Sequence, residues 1–220
     1  VCLLHDAWRA GLPDTEVRDL LPALEGALGW LLEHFDADGD GFGEYLDRSG
    51  HGLANQGWKD SGDSIRFADG RIAEGPVALC EVQGYVYAAK RAAARMAADL
   101  GDPGRGERLD AEALILRDKF ERAFWCEEIG TYALALDGEK RPCRVRSSNA
   151  GHALFTGIAR GTMVRDDGWE FMSLGRALEQ VDMTSRLVAS ASVLNGHTSW
   201  PSVLRGCGGH DAFLRTYRGL

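Results

Sequence analysis

No stretch of this chain approaches the roughly 18 consecutive apolar residues of a membrane span, and no secretory leader opens it. The sequence therefore reads as neither spanning nor exported, and a cytoplasmic location is expected. Positive charge is also in short supply. Lys and Arg number 25 against 33 Asp and Glu, a formal net charge of -8, which leaves no basic footprint for nucleic acid and no attraction to an anionic membrane. Cysteine is scarce and unpatterned. Cys2, Cys80, Cys126, Cys143 and Cys207 form no CxxC, which excludes a zinc ribbon or a disulfide framework and fits a reduced compartment. What is present, 45% hydrophobic and 26% charged residues over a length of 220, is enough for one sizeable core. The chain opens on Val1 rather than methionine, so a piece of a longer protein is expected.

Chemistry concentrates between Asn55 and Ile65, NQGWKDSGDSI. Trp58 offers a flat apolar face, Lys59 a cation, and Asp60 and Asp63 two carboxylates, while Gly57 and Gly62 let the backbone bend. Such a set suits a sugar, whose ring stacks on indole and whose glycosidic oxygen needs a carboxylic acid to protonate it. A polar surface turn uses the same residue types.

The rest of the chain reads as helices joined by loops. Val1 to Ala10 looks like the end of one helix, closed by Gly11 and Pro13. A second is capped by Asp14 and carries Val17, Leu20, Leu21, Leu24, Leu28, Leu31, Leu32 and Phe35 on one stripe, the pattern of an outer helix. Asp36, Asp38, Asp40 and Gly41 match the first half of an EF-hand loop, but the twelfth position is Asp47 and no helix follows, so an Asp/Gly turn into an extended Phe42 to Leu46 is the better reading. No metal and no cofactor is expected.

From Pro76 to Leu100 the spacing predicts a helix apolar on every side over its first half except at Glu81 and Gln83. A buried pair of this kind needs partners, either a ligand in a wet cavity or neighbouring loops that it ties down. Gly106 to Trp125 returns to one-sided patterning. Gly130 to Val145 reads as a hairpin, with Thr131 to Leu136 as a strand and Asp137–Gly138 as its turn. Asn149 can cap a final helix, Ala150 to Ala159, whose one strongly polar member is His152. Alternation of outer and inner helices predicts an all-α toroid of helical hairpins, with small β-hairpins in its loops and the loop before Pro76 over its centre.

The runs GLANQGWKDSGDSIRFADGRIAEGPVALCEVQGYVYAAK and SSNAGHALFTGIA resemble the catalytic domain of bacterial amylo-alpha-1,6-glucosidases and glycogen-debranching-type proteins of the six-hairpin glycosidase superfamily, over Trp8 to Ala159. That resemblance implies a partial (α/α)6 toroid, a place in carbohydrate metabolism, and inverting hydrolysis of an alpha-glucosidic bond in an oligosaccharide or glucan. It puts the general acid at Asp60, with Trp58, Lys59, Asp63, Glu81, Gln83, Asn149 and His152 binding substrate. A trehalase-like or other exo-glycosidase specificity fits the same loop.

The resemblance stops at Ala159. Residues 1–159 then form a partial catalytic domain, and residues 160–220 a divergent or frameshifted continuation, in which NGHTSWPSVLRGCGGHDAF only faintly echoes the family's later run. Inversion needs a second carboxylate about 6.5–9.5 Å from the acid. Glu170, Asp182 and Asp211 are available, but no motif supports any of them. The alternative to an enzyme is an incomplete remnant that folds and binds carbohydrate through Trp58 and Glu81.

Overall fold

The computed structural model describes residues 1–36, 38–46, 55–57, 59 and 61–159. Trp58, Asp60, Asp47 and everything expected of residues 160–220 lie outside the described residues. Within them the chain is mostly helical: α1 (Cys2–Arg9), α2 (Asp14–His34), α3 (Cys80–Asp99), α4 (Pro103–Phe124) and α5 (Asn149–Thr156). Four two-residue strands accompany them, β1 (Ala78–Leu79), β2 (Trp125–Cys126), β3 (Thr131–Tyr132) and β4 (Ala135–Leu136). They pair antiparallel as β1 with β4, Ala78 opposite Leu136, and β2 with β3, Trp125 opposite Tyr132.

The central element is α3, which packs against α1, α4 and α5. Its alanines Ala92, Ala93 and Ala94 are buried and short, so α4 approaches its backbone closely. Gly106 marks the crossing, because a Cβ there would lie 2.8 Å from the Ala94 carbonyl oxygen. On its other side α3 meets the stripe of α2, where Val17, Leu24 and Leu28 form one apolar cluster with Ala93 and Met96. Leu20 and Leu32 fall off that stripe and are exposed, so the buried face of α2 is narrower than its leucines suggest. Phe42, Phe120, Phe124 and Tyr132 build the main core, with Phe120 stacked on Phe124 at 4.7 Å between ring centroids.

Several boundaries differ from the sequence reading. The helix expected from Pro76 starts at Cys80, because Val77 to Leu79 is extended: Val77 bridges Tyr45, and β1 pairs with β4. Apolar residues alone do not separate a buried strand from a buried helical turn. In α4 the start is earlier, at Pro103, where Asp102 accepts the Arg105 N–H at 3.0 Å and proline takes the first helical position. Asp14 does not cap α2; it is the first helical residue, and its carboxylate accepts the Trp8 indole N–H at 2.8 Å.

The expected strand Thr131 to Leu136 is divided between two partners. Its first part folds back on β2, its second on β1, and the turn then runs from Asp137 to Arg141. Helix α5 ends at Thr156, with Gly157 in the left-handed region at φ 77°.

Candidate functional site

The loop before α3 is organised by Asn55, whose residue is 3% exposed. Its Oδ1 accepts the Tyr45 hydroxyl at 2.8 Å, and its Nδ2 donates to the Ser61 carbonyl and to Ser64 Oγ at 3.0 Å. Ser64 in turn donates to the Lys59 carbonyl at 2.7 Å. One buried amide thus closes the loop. Ile65 anchors it from below, in a cluster with Val77, Leu79, Leu134 and Cys143. Asp63 is held by Arg66 twice, carboxylate to guanidinium at 2.8 Å and carbonyl to Nε at 2.7 Å.

Facing this loop is the strand-like segment after the Asp137 turn. Its N–H groups and carbonyls pair with the β4 region, Cys143 N–H to the Ala135 carbonyl at 2.8 Å and Leu134 N–H to the Cys143 carbonyl at 3.0 Å. Extended backbone alternates its side chains, so Cys143 points into the core while Arg144 and Arg146 are exposed. Burial, with the Asp137 charge adding, pushes the Cys143 thiol up to about 12, which leaves it a packing group rather than a nucleophile.

Between the two segments lies a cleft of about 700 Å³. Lys59, Arg66 and Arg146 bring positive charge to it, Ser61, Ser64 and Ser147 line it as well, and Leu134 and Val145 give it an apolar wall. Asp63 is its one carboxylate among the described residues, and Arg66 already neutralises it. Lys59 and Arg146 form no ion pair with a described residue; Arg146 spends only its Nε, on the Ile129 carbonyl at 2.9 Å. Ser147 Oγ is buried without a hydrogen-bond partner among the described residues.

Glu81 and Asn149 meet elsewhere, between α3 and α5. Asn149 Nδ2 donates to Glu81 Oε1 at 2.7 Å, with both residues almost fully buried. Asn149 therefore joins two helices instead of capping one. Gly57 lies over this pair; a Cβ on it would come within 3.6 Å of Glu81 Oε1 and 2.2 Å of Leu79. Burial, reinforced by the Glu81 charge, raises the Tyr45 phenol above its usual range, so it stays a hydrogen-bond donor to Asn55. Gln83 is turned to the backbone, accepting from Gly43 N–H and donating to the Gly43 carbonyl, both at 2.8 Å, and also donating to the Leu79 carbonyl at 3.0 Å. His152 Nδ1 meets the Tyr85 hydroxyl at 2.6 Å.

The aspartate-rich loop after α2 is a web of turns. Asp36 accepts the N–H groups of Gly39 and Gly41, Asp38 that of Asp40, and Asp40 that of Phe42. Asp36, Asp38 and Asp40 bring carboxylate oxygens within 4.8 Å of one another. The cation among them is Lys140, whose Nζ lies 2.9 Å from Asp38 and 2.8 Å from Asp40 and also reaches the fully buried Glu44 carboxylate. Burial would lower the Lys140 pKa, but its bonds to Asp40, Glu44 and Asp38 hold it above the ordinary lysine range. Burial raises the Glu44 carboxyl, with Lys140 opposing.

The structure thus brings Lys59 and Asp63 to one cleft and sets Glu81 with Asn149, Gln83 with Gly43, and His152 with Tyr85. Sequence reasoning missed Asn55, Ser61, Ser64, Arg66, Arg146 and Ser147. A usable signal was there: C-R-V-R alternates apolar and basic residues at the period of an extended strand.

A family model described as "Alpha-E: a predicted alpha-helical domain with a conserved ER motif" matches residues 106–220. No curated protein matches the chain. The matched part contains Glu-Arg twice, at Glu107–Arg108 and Glu121–Arg122. On α4, Glu121 accepts the Tyr132 hydroxyl at 2.9 Å and Arg122 Nε donates to the Asp118 carbonyl at 3.0 Å, while Glu107 and Arg108 are exposed.

This match overturns the glycosidase resemblance. The identification as an amylo-alpha-1,6-glucosidase or glycogen-debranching-type hydrolase is corrected, together with inverting alpha-glucosidic hydrolysis, its trehalase-like variant, the sugar-binding remnant and the place in carbohydrate metabolism. The physical reason is visible in the residues that carried the resemblance. Polar side chains inside apolar helices and an Asp/Gly loop are what a helical domain also uses to fasten its connections, as Glu81, Gln83 and Asp63 do here.

Proposed function

The chain belongs to the Alpha-E family, and from that premise we propose that it is a helical domain that binds a small molecule in the cleft between Lys59, Ser61, Asp63, Ser64 and Arg66 on one side and Leu134, Val145, Arg146 and Ser147 on the other. One observation carries the reading. Two segments distant in sequence, each fastened from behind by buried bonds, turn two cations without a carboxylate partner among the described residues to the same space of about 700 Å³. That volume falls in the range of roughly 300–1,000 Å³ common to small-molecule sites. The preformed loop supports binding as well, because Asn55 fixes it before any ligand arrives.

For the finer architecture, we propose that α3, α4 and α5 belong to a ring of antiparallel helical hairpins with α3 inside. The burial of α3 and the one-sided burial of α2 and α4 support it.

Chemical-shift mapping of the 220-residue chain against a mixed library of neutral, cationic and anionic fragments tests the site. Shifts clustered at Ser61, Ser64, Leu134, Val145 and Ser147 are expected. Hits scattered over the surface, or gathered around Tyr85 and His152 instead, would overturn it.

A further inference from the structure

We propose that the ligand of this cleft carries a phosphate group and is a small organic phosphate; the proposal rests on the cleft being the binding site.

The argument begins with charge. A chain of net charge -8 repels anions on average, so a site for one must be built locally against that field. Here the lining carries, among the described residues, Lys59, Arg66 and Arg146 against a single Asp63. Arg66 and Asp63 cancel each other at 2.8 Å. Lys59 and Arg146 remain, one from each wall, with no described carboxylate to satisfy them. Opposed cations across a cleft repel when it is empty and are both relieved by one anion.

Hydrogen-bond chemistry narrows the class. A phosphate presents several acceptor oxygens and asks for many donors. The lining supplies them: an ammonium, the terminal nitrogens of Arg146 and the exposed Ser61 hydroxyl. A cationic ligand would meet two positive charges that no described carboxylate offsets, and a purely apolar one would leave every donor unmet.

Size narrows it further. About 700 Å³ greatly exceeds one phosphate ion, and Leu134 and Val145 give the rest of a molecule an apolar surface to lie on.

The test uses isothermal titration of the full chain at low salt with inorganic phosphate, adenosine monophosphate and uncharged adenosine. The monophosphate is expected to bind at least tenfold more tightly than adenosine, and inorganic phosphate to compete with it. Lys59→Gln and Arg146→Gln should each weaken monophosphate binding about tenfold while adenosine binding is unchanged. Ser61→Ala should weaken it several-fold without lowering thermal stability, a split that a purely structural serine would not give. Equal affinity for monophosphate and adenosine in the mapped cleft would overturn the phosphate assignment and leave the binding site standing. Monophosphate binding indifferent to both charge variants, or no binding of any of the three, would overturn the assignment as well, and fragment mapping then shows whether the site itself survives.

Discussion

The side-chain amide of Gln83 pairs with both backbone groups of Gly43, at 2.8 Å in each direction, as a strand partner would. It stitches the start of α3 to a loop forty residues earlier. Gln83→Leu keeps the volume but leaves a buried N–H and a buried carbonyl unpaired, so a loss of about 2–4 kcal/mol is expected. Urea denaturation measures it; a loss under half a kcal/mol would mean that water reaches Gly43. Ligand affinity should not change, because Gln83 does not line the cleft.

Lys140 should behave as an internal counter-ion. Lys140→Met strands the fully buried Glu44 carboxylate, and a destabilisation of about 2–4 kcal/mol is expected. Adding Glu44→Gln should return much of it, a coupling that a double-mutant cycle reads directly. The pKa shift gives the sign with pH. Folded Lys140 titrates above the ordinary value of 10.5, so its stabilisation is complete below that value and disappears as pH rises through the folded one. The gap between wild type and variant should therefore close in strong alkali, and it should also narrow in acid once Glu44 takes up a proton and no longer needs a counter-ion.

Asp137 governs the acid side. Burial would raise its pKa, but Arg141 and the N–H groups of Arg141 and Glu139 outweigh burial and lower it below the ordinary 3.8. Its contribution is present above that value and is lost as pH falls through the depressed one. Asp137→Asn should flatten the acid limb of a stability profile below pH 3.8, with little effect on the shape near neutrality.

Gly106 offers a steric test. A Cβ would meet the Ala94 carbonyl oxygen at 2.8 Å, a backbone atom that cannot swing aside. Gly106→Ala gains helix propensity of about 1 kcal/mol yet should still destabilise, because α4 must move away from α3. A stabilised variant would show that the two helices separate at little cost.

How much of this was legible in the sequence differs from element to element. The buried stripe of α2 was readable because charged residues interrupt it at helical period. The start of α3 was not, since Val77, Ala78 and Leu79 carry no sign of their pairing with Tyr45 and β4, which lie far off in the chain. Asp102–Pro103 did announce the start of α4, and only the nearby glycines concealed it. The cleft was half legible: Lys59 and Asp63 stood out in the loop, whereas Arg146 and Ser147 join them only through folding. Side-chain type marked the polar positions, and tertiary pairing decided whether each served a ligand or the fold.

Apart from the Glu44 N–H bond back to the Phe35 carbonyl, the bonds described here that fasten the loop between α2 and Glu44 come from Gln83, Lys119 and Lys140, all later in the chain. Synthesis proceeds from the N-terminus, so α1 and α2 leave the ribosome long before these fasteners exist. The loop must wait unfinished until the Asp137 turn has emerged. Hydrogen exchange on nascent chains stalled after Phe124 should find the Gly43 amide protected by Gln83 while Lys140's carboxylate partners remain open. Chains released after Thr156 should show both closed, which makes the last hairpin the timer for the first loop.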